Sequence, residues 1–150
     1  VVVVAARALD AFAARRRAHA LIRPLTSTPS SHLGDDVPMQ LIDLLPDESL
    51  ALVALSRAIA RADGAISPLE GRAIALMAAE LGEATYRKLF AKAAESFPDQ
   101  AALQQFLATI ERPEARSLIY ESILALASAD SISAEEEPLM IWLQEAWEIQ

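Results

Sequence analysis

The chain has 150 residues, with 13 Lys plus Arg, 21 Asp plus Glu, two His and no Cys, for a net charge of -8. That length suits one domain with a real core, and the missing cysteine excludes a disulfide framework, thiolate-bound zinc or iron–sulfur, and a cysteine nucleophile. The acidity disfavours a nucleic-acid binder, whose footprint is a basic face, and an apolar fraction of 53% excludes wholesale disorder.

Charge divides the chain. Residues 1–23 hold Arg7, Arg15, Arg16, Arg17 and Arg23 against Asp10 alone, while residues 24–150 hold 8 basic and 20 acidic groups. The head reads as a basic amphipathic helix, with Val2, Ala6, Leu9, Phe12, Ala13 and Ala20 roughly on one face. The apolar run Val1–Ala6 is too short to span a membrane, and the arginines follow it instead of preceding it as in a signal peptide. Two uses stay open for this head: packing in cis or against a partner, including a homodimer, and the arm of a membrane tether. Residues 24–40 form a linker rich in Ser, Thr and Pro, and a helical domain follows over 41–150.

Helices are predicted at about 47–62, 68–81, 84–95, 99–110, 113–128 and 134–148, favoured by 31 alanines and few β-branched runs. Gly82 suits the position after a helix C-terminus, Asp99 an N-cap, and Pro113 a first turn. The fold class is therefore all-α.

One segment recurs. Ala58–Glu70 and Ala125–Glu136 share an apolar helix, an Asp at its end, an Ile, and a Ser followed three residues later by Glu. Ser67 with Glu70, and Ser133 with Glu136, have the spacing of a capping box, in which serine oxygen and glutamate carboxylate each satisfy an orphan amide of the helix start. Pro68 fits the first helical position, and Gly64 can take the positive φ of a sharp exit. Ser131 cannot do so cheaply, and the second loop is one residue shorter. Ile66 and Ile132 are expected to plug the core. An EF-hand is excluded, because counting back from Glu70 puts Ile59 and Arg61 where the first two oxygen ligands belong, and from Glu136 puts Ala125 and Ala127 there. Two readings of the acidic loops remain: a hard-cation site from Asp63, Glu70, Asp130 and Glu136 if the loops pair, or two capping boxes with exposed acid.

The paired motifs Ala62–Glu70 and Ala129–Glu136 resemble those of the TerB-like, tellurite resistance, family over about residues 41–149. The resemblance implies a compact helical bundle with two helix–loop–helix units, a link to stress responses, and metal binding by paired acidic motifs. It carries over to Asp63 and Glu70, and less closely to Asp130 and Glu136, since the second copy lacks the glycine. Similar domains precede a J-domain in membrane-anchored co-chaperones.

No catalytic constellation is present. His19 and His32 lack HExxH spacing, and no serine sits in GxSxG; Gly34, Gly64, Gly71 and Gly82 cannot form a phosphate loop. The reading is a non-enzymatic, cytoplasmic or membrane-associated interaction module with no cofactor other than a candidate divalent cation, Ca or Mg. Its candidate contact residues are Arg15, Arg16 and Arg17 on the head and Glu135, Glu137 and Trp147 on the body. Trp147 is placed against the head or a partner, and Trp142 in the core. The alternatives are a metal-dependent hydrolase using the paired carboxylates and a membrane-tethered, co-chaperone-like regulator.

Overall fold

The computed structural model describes residues 37–62 and 64–150. The basic head, most of the linker and Asp63 lie outside the described residues. The body opens with a 3₁₀ turn, Leu41–Asp43, held by the Gln40 amide donating to Asp43 Oδ2 at 2.8 Å. Six α-helices follow among the described residues: α1 Pro46–Ala62, α2 Pro68–Leu81, α3 Glu83–Ser96, α4 Gln100–Leu107, α5 Pro113–Ala127 and α6 Glu137–Ala146. The all-α expectation is met, and no strand occurs among the described residues.

Every residue of α1 from Glu48 to Ser56 is buried, as are Ile59 and Ala60. A helix covered all round belongs at the centre of a bundle. α1 packs chiefly against α3 and α5, and α2 packs on α3 and α5. Leu52, Leu55, Ile59, Met77, Ile119, Ile123 and Leu143 fill the space between them. Ser56 and Tyr86 bring their hydroxyls within 3.0 Å inside this core, and the serine also donates to the Val53 carbonyl. Burial pushes the Tyr86 hydroxyl above its ordinary pKa.

Local chemistry sets the boundaries. Gly82 joins α2 to α3 at φ 93°, a conformation that favours glycine. Asp99 caps α4 by accepting from the Ala102 amide at 2.8 Å. α4 stops at Leu107, short of the expected 110, and Ile110 tucks into the core from outside the helix. Gly64 takes φ 77°, and Ser131 does not share it, as the shorter second loop requires.

Ile66 and Ile132 do not plug the core, contrary to expectation: they are 57% and 42% exposed. Each stands immediately before a capping serine, outside the helix that follows, and Ile132 lines the groove between α5 and α6. For Ile66 the residue five further on is Gly71, and a Cβ there would lie 3.9 Å from Ile66 Cγ2. The inward residues of the turns are Glu70 and Glu136, both buried. Ile66→Ala is therefore expected to change stability by less than about 1 kcal/mol in a thermal melt, against roughly 2–5 kcal/mol for truncating a core isoleucine.

Candidate interaction surface

Three helices begin alike. Glu48, Glu70 and Glu136 each accept, through Oε2 at 2.7 Å, the backbone amide three residues earlier, on Leu45, Ser67 and Ser133. Ser67 Oγ and Ser133 Oγ return the bond from the Glu70 and Glu136 amides at 3.2 and 3.3 Å, so both expected capping boxes form. In the second, the residues after Ser133 make a turn before α6 proper begins at Glu137. Leu45 has no hydroxyl to reciprocate. Instead, Arg112 Nε reaches Glu48 Oε1 at 2.8 Å, its Nη2 reaches Oε2, and Nη2 also donates to the Asp43 carbonyl. The guanidinium holds the Glu48 carboxyl below its ordinary range, with the Leu45 amide adding to the effect. This tie across 64 residues joins the start of α1 to the start of α5.

These bonds bear on the expected cation site. Glu70 and Glu136 each commit an oxygen to a backbone amide and lie buried, whereas Asp130 is exposed on its loop. Among the described residues no three Asp, Glu or His side chains are placed to hold a metal ion. Asp63, the fourth member of the expected set, lies outside the described residues.

Two concavities flank the start of α6. One, of about 380 Å³, lies between the C-terminal half of α1, the α3–α4 junction and the turn before α6. Arg57, Arg61, Asp99, Glu135 and Glu136 line it, together with Phe97 and Leu103. Its charges are of both signs.

The other is a groove of about 300 Å³ between α5 and α6, lined by Tyr120, Leu124, Ile132, Glu137, Met140, Ile141 and Gln144. The Tyr120 hydroxyl donates to Gln144 Oε1 at 3.4 Å, a long bond linking the two helices. Ile132 and Ile141 remain 42% and 49% exposed, so the groove presents apolar surface to water. The sequence around it is acidic throughout: residues 117–150 carry seven carboxylates and no Lys or Arg.

The expected contact residues fall in different places. Glu135 is exposed on the mixed-charge cleft and Glu137 on the groove, so the two acids serve different surfaces. Arg15, Arg16 and Arg17 lie outside the described residues. Trp147 is not a contact residue: it is 4% exposed, and its Nε1–H donates to the Leu107 carbonyl at 3.0 Å. Trp142, expected in the core, is only half-buried against it. Sequence reasoning missed Tyr120, Ile132, Met140 and Ile141 as one surface. Ile141 follows Met140 directly, and adjacent helical residues point about 100° apart, so only the crossing of α5 and α6 brings them together. No described helix is long and apolar enough to cross a membrane.

No curated protein and no solved structure matches the chain. A sequence model of the family described as Tellurite resistance protein TerB matches residues 49–146, which spans α1 from Ser49 through the whole of α6. The match covers both capping-box units and the helices they join, and the chain belongs to the TerB family.

Proposed function

We propose that this TerB-family chain is a non-enzymatic interaction module of a stress-response protein, and that it receives a cationic amphipathic segment in the α5–α6 groove. The observation that carries the reading is apolar surface, at Ile132 and Ile141, beside the exposed Glu137, in a sequence stretch, 117–150, that holds no Lys or Arg. Apolar floor and acidic surroundings divide the work of recognition. Burial of the floor supplies affinity, and the charge steers a basic segment in and rejects acidic ones. The groove lining offers no nucleophile–base pair, since its polar members are Tyr120, Glu137 and Gln144.

The test uses the isotope-labelled full chain and a synthetic Leu/Lys amphipathic helix of unrelated sequence. Chemical-shift changes are expected at Tyr120, Ile132, Ile141 and Gln144, fading as salt screens the charges. Ile141→Asp is expected to weaken binding by about tenfold, the loss of one well-buried apolar contact. Shifts centred on the Arg57–Arg61 cleft, or none at all, would refute the assignment.

A further inference from the structure

We propose that the chain carries its own occupant for this groove: the basic segment Arg7–Arg23, seated on α5–α6 in cis, so that an outside partner must displace it. The proposal rests on the reading of the groove as a docking surface for cationic amphipathic segments. Three observations select this occupant.

The first is charge. Residues 1–23 carry five arginines against one aspartate, and the eight Lys and Arg residues of the remainder all precede residue 117. The most basic stretch and the baseless acidic stretch thus belong to one chain. The second is pattern. Leu9, Phe12, Ala13 and Ala20 recur at helical spacing among the arginines. One face can then meet Ile132 and Ile141 while the arginines meet Glu137. The third is reach. The thirteen residues 24–36 can extend to about 45 Å. A body of 114 residues has a radius of gyration of about 13 Å and so a half-circumference of about 50 Å, and the extended tether reaches over most of its surface. Such a tether holds the head at an effective concentration of about millimolar. That favours the chain's own head over a second copy at micromolar concentration.

The absence of cysteine makes the test clean, because Phe12→Cys with Ile141→Cys gives the only two thiols in the full chain. Phe12→Cys with Phe90→Cys serves as reference, since Phe90 is exposed on α3, outside the groove. Under mild oxidation of the dilute chain, an intramolecular disulfide is expected to form at least about tenfold faster with Ile141 than with Phe90, reflecting a local concentration that the tether alone does not give. Reversal of Arg15, Arg16 and Arg17 to Glu, or about 1 M NaCl, is expected to abolish the difference. Equal rates at the two positions, or a disulfide-linked dimer, would overturn cis occupancy.

A second measurement covers the case in which the cysteine pairs disturb folding. The Leu/Lys peptide is expected to bind the Arg15/16/17→Glu chain severalfold more tightly than the unaltered chain, because its competitor has gone. Unchanged affinity overturns the cis seat and leaves the docking reading standing. Failure of the peptide to bind either chain overturns both.

Discussion

Trp147→Ala is expected to cost about 3–5 kcal/mol, lowering the melting temperature by more than about 10 °C for a domain of this size. The residue follows α6 directly and is 4% exposed in the core. Removing the indole opens a large cavity. It also leaves the Leu107 carbonyl at the end of α4 without the Nε1–H donor 3.0 Å away. The two losses can be separated. Trp147→Phe restores most of the volume but not the donor, so it is expected to recover more than half of the stability in a urea or thermal melt. A loss below about 1 kcal/mol for the alanine variant would mean that the indole does not bear on the core.

The second large effect is at Glu48. Its carboxylate accepts the Leu45 amide and two bonds from Arg112, so Glu48→Gln is expected to cost about 1.5–3 kcal/mol at neutral pH. The value should fall toward the lower end, because the Arg112 side chain is 38% exposed and water screens it. The pH dependence has a definite sign. The folded-state pKa of Glu48 lies below its ordinary 4.5. The group thus contributes its stability fully above that value, and the contribution disappears as pH falls through the lowered folded pKa. The unaltered chain and Glu48→Gln should therefore differ most near neutrality and converge in acid. A difference independent of pH would exclude the carboxylate charge as its source.

How far the fold could be read in advance depended on where its determinants lie along the chain. Caps and breakers are local, so Ser67 with Glu70, Gly82, Asp99 and Pro113 marked helix ends within a few residues. Ile66 and Ile132 are exposed where burial is expected, because apolarity alone does not distinguish a core position from one in a loop beside a helix start or on a groove wall. Trp147 was misplaced for a related reason. Helical spacing was carried through residue 148, whereas α6 ends at Ala146 and Glu148 turns the chain at φ 52°. The Glu48–Arg112 tie joins residues 64 apart, and the groove exists only where α5 crosses α6. Neither leaves a periodic trace. Its one available hint was that Leu45-Pro-Asp-Glu48 repeats the spacing of Ser67-Pro-Leu-Glu70.

The enclosure of α1 has a consequence for synthesis on the ribosome. Its covering helices end at residues 96 and 127, well after α1 itself ends at Ala62. At roughly 5–20 residues per second, the 65 residues from 62 to 127 take roughly 3–13 s to emerge. Through that interval the most fully buried helix of the nascent chain lacks part of its cover, since α3 is complete from residue 96 but α5 is not, and its apolar surface stays open to chaperones that hold nascent chains.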